Sequence, residues 1–155
     1  MMEFFGWIIA TVLVLLTVGV HYEIIRLASD VVIPWAFKRF HDRRIMMLSM
    51  ATLVAGHIIE IWVFALSMMF LTLTPDFGHL SGSVDSNLNT YLYFSAVSYT
   101  STGYGDITPH GALRSVAVSE ALAGLMMIAW SASFTYLKME EIWKLRRTPQ
   151  PIKKS

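Results

Sequence analysis

Residues 90–106 read TYLYFSAVSYTSTGYGD, and this stretch decides the fold because it suits neither water nor a simple membrane crossing. The first eleven residues, 90–100, contain no charge, no Gly and no Pro, and Asn89 or Thr90 can cap a helix at their start. A helix needs about 20 residues to cross the ~30 Å core of a bilayer. We therefore predict a short helix over 90–100 that enters the membrane and turns back.

The six residues that follow, 101–106 (STGYGD), include two glycines at alternate positions. Gly103 and Gly105 admit backbone torsions with positive φ that other residues rarely adopt. With such torsions successive carbonyls can point to one side, whereas in a strand they alternate. Non-helical backbone is tolerated at membrane depth only where protein buries it or where it lines a watery cavity. A row of inward carbonyls is the chemistry that replaces the hydration shell of a monovalent cation.

Three long stretches with almost no charge surround this segment and predict three transmembrane helices. Residues 4–20 are almost wholly apolar, 45–74 carry one formal charge at Glu60, and 115–137 carry one at Glu120. The whole chain is 55% apolar and 15% charged, against about 45–50% and 25% in soluble domains. The first stretch has neither a basic start nor a small-residue cleavage site, so we expect a retained helix rather than a signal peptide.

Composition excludes several classes of protein. With no Cys a disulfide scaffold is impossible, and a formal net charge of +1 without a basic stripe argues against a nucleic-acid partner. No span carries Arg at every third residue, so a voltage-sensor helix is excluded. No G-x-G-x-x-G motif occurs, and we expect no cofactor and no soluble small-molecule substrate.

The positions of the basic residues predict the orientation in the membrane. Eleven of the twelve Lys and Arg lie in 23–44 or after residue 137. The positive-inside rule then places both regions in the cytoplasm and the N-terminus outside, in a multi-pass protein of the plasma or inner membrane. We expect 23–44 to break at Pro34 and to lie in the membrane interface; a plain cytoplasmic connector is an equal alternative.

The pattern resembles a known family. Thr-Gly-Tyr-Gly-Asp after a short apolar helix, between two transmembrane helices, resembles the selectivity filter of potassium channels. Residues 46–136 are similar to the bacterial two-transmembrane pore module of the ion-channel superfamily, and the inner-helix segment LRSVAVSEALAG (113–124) resembles inner helices with Glu-Ala-x-x-Gly. The implied fold is an all-α membrane protein with three transmembrane helices, a re-entrant pore helix and a filter loop.

The expected segments are an extra N-terminal transmembrane helix (1–22), a basic linker (23–44), a pore module (45–137) and a basic tail (138–155). Within the pore module we expect an outer helix (45–74), an exposed outer loop (75–89), a pore helix (90–100), a filter (101–106) and an inner helix (112–137). One chain supplies one filter strand and a carbonyl ring needs four, so the pore requires a homotetramer.

The resemblance implies roles for individual residues. K⁺ ions would bind at the filter, on Ser101, Thr102, Gly103, Tyr104 and Gly105. Gly124 would be a gating hinge, and the cavity and inner gate would be lined by Leu125, Ile128, Ala132 and Tyr136. The acidic outer loop, with Asp76, Asp85 and Asp106, would concentrate cations at the mouth; solvated loop charge is the alternative.

This chain departs from the family pattern around the filter. Ser101 replaces the usual Thr, and Thr102 replaces Val or Ile. The two positions that often hold Trp are Tyr93 and Phe94. Val97 stands where some members place a Glu, so Tyr93 is the expected hydroxyl partner of Asp106. Glu120 is expected to support the filter by bonding Thr102, Tyr99 or a backbone amide, or else to pack against a neighbouring subunit.

Glu60 and His57 lie at i and i+3 on one face of the second span. A carboxylate near the bilayer centre costs at least ~2.5–3.5 kcal/mol, so Glu60 should have a protein partner. That partner is either a structural hydrogen bond, to His57 or to a polar group of the first span such as Thr11, or a pH- or metal-sensitive contact that couples the outer and inner helices. Two groups are too few ligands for a firm metal site.

The expected function is passive, potassium-selective conduction through a homotetrameric pore surrounded by membrane lipid, without a voltage sensor. A weakly selective cation channel is the nearest alternative. A non-conducting membrane sensor or accessory subunit is another, with the N-terminal helix docking a membrane partner. An enzyme using His57, Glu60 and Glu120 is disfavoured because no nucleophile–base pair accompanies them.

Overall fold

The computed structural model describes residues 1–74, 76–82 and 87–147, and for 145–147 the backbone alone. The elements in chain order are α1 (Met2–Leu27), a π-helical segment (Ala28–Val32), α2 (Ile33–Phe37), α3 (Asp42–Leu71), β1 (Leu80–Gly82), α4 (Leu88–Tyr99), β2 (Ile107–Pro109) and α5 (Leu113–Arg147). Three helical stretches are long and apolar enough to cross a membrane: Met2–Phe37, Asp42–Leu71 and Leu113–Lys144. The predicted all-α architecture with a short pore helix is confirmed. Asp85, Lys153 and Lys154 lie outside the described residues.

The predicted break at Pro34 is wrong. The first helix continues through the π-helical segment into α2, so that only 38–41 connect it to α3. Proline normally interrupts a helix because it lacks an N–H and its ring clashes with the carbonyl four residues earlier. Here Pro34 lies in the first turn of α2, directly after the wider π-helical turn. In that turn the backbone hydrogen bonds already span five residues instead of four.

The inner helix is longer than expected. The predicted end is residue 137, but α5 runs to Arg147, so that 138–147 of the predicted tail are helical. Two ion pairs at helical spacing accompany the extension, Lys138–Glu141 (2.9 Å) and Lys144–Glu140 (2.6 Å). Such pairs each stabilise a helix by about 0.2–0.5 kcal/mol.

The N-terminal helix is part of the core. A single buried cluster joins α1, α3, the pore helix α4 and α5, and includes Ala10, Leu13, Phe64, Met68, Phe94 and Val116. Gly6 allows a close approach, because a Cβ on it would stand 2.9 Å from the Ala112 carbonyl oxygen on the segment leading into α5. The extra helix therefore packs against the pore module along its length instead of standing apart from it.

The outer loop is more ordered than predicted. β1 pairs antiparallel with β2, with Ser81 opposite Thr108. This two-stranded ribbon connects the outer loop to the residues that directly follow the filter segment. Phe77 was expected in an exposed loop, yet it is 3% exposed within the core cluster. Strands of three residues that contain Gly or Pro carry too short a pattern for the sequence to reveal them.

Candidate ion-binding site

The pore helix α4 is held at both ends and at its middle. Asn87 caps it, since its side-chain oxygen accepts from the Thr90 amide at 3.0 Å; the predicted caps Asn89 and Thr90 lie inside the helix. At the middle, the Ser95 hydroxyl lies 2.8 Å from the Ile61 carbonyl oxygen of α3. At the end, Tyr99 is 1% exposed. The direction in which α4 delivers the chain into 101–106 is therefore fixed by both long helices of the pore module.

The filter segment alternates the sign of its backbone torsions. Ser101, Gly103 and Gly105 have φ of 55°, 56° and 81°, and the residues between them have negative φ. This is the alternation that the sequence predicted from the two glycines. Ser101 extends it by one position that the sequence did not reveal, and it is the sole non-glycine residue with positive φ in the described part of the chain. Ion binding by this segment stays a prediction.

Backbone and side-chain hydrogen bonds connect the filter segment to the pore helix and its C-terminal end. The Thr102 amide donates to the Val97 carbonyl at 3.0 Å, and the hydroxyls of Thr102 and Thr100 lie 2.8 Å apart. At the other end the Tyr93 hydroxyl donates to Asp106 at 2.8 Å, which is the pairing predicted from the missing Glu at Val97.

The Tyr93–Asp106 hydrogen bond also affects titration. It raises the pKa of the Tyr93 phenol above its ordinary value, because losing the proton would leave two negative groups in contact. The phenol therefore remains a hydrogen-bond donor across the physiological pH range. The Asp106 side chain is therefore held by a neutral hydrogen-bond donor.

Glu120 does not form the hydrogen bonds predicted for it. It is fully buried on α5, and its Oε1 contacts the Ser95 hydroxyl instead of Thr102, Tyr99 or a backbone amide. Its other oxygen has no hydrogen-bond partner among the described residues. Because Ser95 also contacts the backbone of α3, these groups connect α5 to α3 through the centre of the pore helix.

Gly124 lies directly against the end of the pore helix. A Cβ at this position would stand 2.0 Å from the Tyr99 carbonyl oxygen, so only glycine permits this helix contact. A hinge role for Gly124 stays a prediction. The four residues predicted to line the cavity are all exposed on α5 in the single chain: Leu125, Ile128, Ala132 and Tyr136.

Glu60 is the centre of a group that we call the histidine cluster: His21, His57, Glu60, Tyr99 and Ser131. The predicted contact with His57 is present at 3.3 Å. The other predicted partner, a polar group of the first span, is also present, but it is not the example Thr11, whose hydroxyl bonds the Trp7 carbonyl at 2.8 Å. The shortest histidine contact comes from α1, where His21 Nδ1 lies 2.8 Å from Glu60 Oε1.

His21 was not named as the polar group of the first span that pairs with Glu60, although a signal for it was present. His21 is the polar residue that ends an otherwise apolar stretch of α1, and it is completely buried. Polar residues inside membrane helices face protein and pair with one another. That rule alone would have made His21 a candidate partner for Glu60.

The sequence profile of a family described as "Ion channel" matches residues 45–141. The chain belongs to this ion channel family. The match runs from α3 to α5 and includes the pore helix and the filter segment, whereas α1 lies outside it.

Two relatives carry the same name. Protein LctB of Bacillus caldotenax is 33% identical over 101 residues, which cover 61% of this chain and 75% of that protein. Protein LctB of Geobacillus stearothermophilus is 43% identical over 56 residues, covering 36% of this chain and 42% of that protein. No solved structure matches the chain.

Proposed function

We propose that this ion channel family member conducts K⁺ selectively and passively through a pore formed by four copies of the chain. The observation that carries the proposal is the alternation of φ at Ser101, Gly103 and Gly105. Alternating torsions turn successive carbonyl oxygens to one side, and a ring of such oxygens can replace the water around K⁺. K⁺ ions bound at these carbonyls are the only ligands that the proposal requires.

The exposure of the filter segment supports the tetramer. Residues 101–106 are exposed in the single chain, and the Tyr104 side chain is 71% exposed. Non-helical backbone in a membrane must be covered by protein or face water. In a ring of four copies around one axis, one side of each filter segment would face the water-filled ion path, and neighbouring chains would cover the other sides.

The orientation follows from charge. Arg26, Lys38 and Arg39 lie near the turn between the first two membrane helices, and Lys138 and Lys144 lie near the end of α5. The positive-inside rule places this side in the cytoplasm of a plasma or inner membrane. The filter and the acidic residues Asp76 and Asp106 would then face outward.

The test is cation flux in liposomes that contain the purified full-length protein, with K⁺ and Na⁺ gradients compared in parallel. Gly103→Ala adds a methyl group to open space but at a φ of 56°, which an L-residue disfavours. Gly19→Ala is the matched control, because it adds the same group to open space on α1 at an ordinary helical torsion.

We expect K⁺ flux well above Na⁺ flux for the wild type and for Gly19→Ala, with at least a tenfold loss for Gly103→Ala. Equal K⁺ and Na⁺ flux would favour a weakly selective cation channel. That alternative has one structural observation behind it, the polar Thr100–Thr102 contact of 2.8 Å at a position where the family usually carries an apolar side chain. No flux at all would favour a sensor or accessory subunit.

A further inference from the structure

The histidine cluster lies where four helices meet, and ion conduction by the filter does not use it. His21 comes from α1, His57 and Glu60 from α3, Tyr99 from the end of the pore helix, and Ser131 from α5. His21 and Glu60 are 0% and 1% exposed, and His57 is 17% exposed. Buried ionisable groups at membrane depth are costly unless they pair with one another or with a bound ion.

The side chains of the cluster make more hydrogen-bond contacts with one another than they have polar hydrogens to donate. Two contacts are His21 Nδ1 with Glu60 (2.8 Å) and His57 Nδ1 with the Tyr99 hydroxyl (2.8 Å); a third joins that hydroxyl to Glu60. The remaining two join Ser131 Oγ to Nε2 of His21 (3.3 Å) and of His57 (3.1 Å). Two neutral imidazoles, one phenol and one serine supply four hydrogens for these five contacts, whichever tautomers are chosen. One contact therefore joins two lone pairs unless an additional proton or a metal ion is bound in the cluster.

The contacts of Ser131 indicate where a metal ion would bind. Ser131 Oγ can accept from Nε2–H of both imidazoles. The Nδ1 lone pair of His21 then faces Glu60, and that of His57 faces the Tyr99 hydroxyl at 2.8 Å and Glu60 at 3.3 Å. In metal sites a ligating histidine typically donates its other N–H to an oxygen acceptor, which fixes the tautomer. The arrangement around Ser131 thus has the form of the outer shell of a metal site.

We propose that His21, His57 and Glu60 form a binding site for a divalent transition metal of the Zn²⁺ class. Their ligand atoms all lie within 4.8 Å of one another, and the contacts to Glu60 are 2.8 Å and 3.3 Å. Ligands of a tetrahedral Zn²⁺ stand about 3.4 Å apart, given bond lengths of about 2.0–2.2 Å. Small side-chain movements therefore suffice to bind the metal.

Two imidazole nitrogens and one carboxylate form a set that suits zinc. The fourth position falls to the Tyr99 hydroxyl, which contacts both Glu60 and His57. The predicted pair of His57 and Glu60 offered too few ligands, and the N-terminal helix supplies the third. Because Tyr99 ends the pore helix two residues before Ser101, a metal here would connect α1 to the start of the filter segment.

The test is metal binding by the purified full-length protein, measured without any flux assay, so that its outcome is independent of the proposed conduction. Co²⁺ is titrated while its visible absorption is followed, and Zn²⁺ is then added as a competitor. We expect one Co²⁺ per chain, with the intense absorption of a four-coordinate site, displaced by Zn²⁺. Glu60→Gln should weaken Co²⁺ binding more than about 100-fold, and Ser131→Ala about 10–100-fold.

Two features make these variants decisive. Gln at position 60 can still accept from Tyr99 and donate to His21, so the fold is preserved while the anionic ligand is lost. His79→Gln with His110→Gln is the matched control, since it removes the other neighbouring imidazole pair, whose rings stack at 5.0 Å. We expect this control to bind Co²⁺ as the wild type does. The proposal is overturned if the wild type binds no stoichiometric Co²⁺, if Glu60→Gln binds it equally well, or if binding is lost in the control alone.

Discussion

At the scale of single residues, the filter segment requires torsions that most side chains resist. Ser101 has a φ of 55°, a conformation that costs an L-residue about 1–2 kcal/mol and that glycine adopts freely. Bonds on both sides hold it there: the Ser101 amide donates to the Ser98 carbonyl at 2.9 Å, and the Thr102 amide donates to Val97. The neighbouring glycines accept the same torsion without such support.

Gly124 gives the sharpest prediction at this scale. Gly124→Ala places a methyl group 2.0 Å from the Tyr99 carbonyl oxygen, so the inner helix and the pore helix must separate. Overpacking of this kind costs about 1–3 kcal/mol. We expect a lower melting temperature in detergent for Gly124→Ala, whereas Gly19→Ala, which meets no atom within 4 Å, should match or exceed the wild type. Equal melting temperatures for the two variants would show that the close contact is not rigid.

At the scale of elements, the pore helix is held by polar contacts within an apolar bundle. Ser95 is completely buried and touches both the backbone of α3 and Glu120 of α5. Hydrogen bonds in a low-dielectric interior are individually strong, and an unpaired group there is costly. The helix therefore keeps its position relative to both spans, and with it the direction of the filter segment.

Ser95→Ala should lower the free energy of unfolding by about 1–3 kcal/mol, because it leaves Glu120 without its hydroxyl contact. Ser133→Ala is the matched control, since that hydroxyl is exposed and bonds only the Ala129 carbonyl of its own helix, at 3.0 Å. Thermal unfolding in detergent measures both variants. If Ser95→Ala melted with the control, the contact to Glu120 would contribute nothing to stability.

The sequence predicted elements better than it predicted contacts between them. Three spans and a short apolar helix follow from runs of uncharged residues, which are local signals. The break at Pro34 was wrong because a π-helical turn accommodates the proline, and that turn has no sequence signature. The Tyr93–Asp106 pair was predicted from the family resemblance, because Val97 stands where some members carry the Glu that would pair with Asp106. The partners of Glu60 and Glu120 depend on how distant helices pack.

At the scale of the whole molecule, we propose that the chain is one sector of a larger assembly. Its α5 helix exposes large apolar side chains such as Leu122, Leu125 and Tyr136, and its filter segment is exposed beside them. Lipid can cover apolar helix faces, but it cannot satisfy the exposed backbone of a non-helical segment. Identical copies around a closed rotational axis satisfy that backbone.

Native mass spectrometry of the detergent-solubilised protein measures this assembly. We expect a dominant species at about four times the 17.5 kDa chain mass, because a closed carbonyl ring needs four filter strands. Gly19→Ala should give the same species. A dominant monomer or dimer would contradict the assembly, even if the single chain were stable.

The most direct test of the central claim is the reversal potential in a planar bilayer with K⁺ on one side and Na⁺ on the other. The carbonyls of 101–105 predict a displacement from zero toward K⁺ preference of more than about 59 mV, which corresponds to a tenfold selectivity for a singly charged ion. Gly103→Ala should abolish the current. A wild-type current that reverses near zero would contradict selection of K⁺ by this segment.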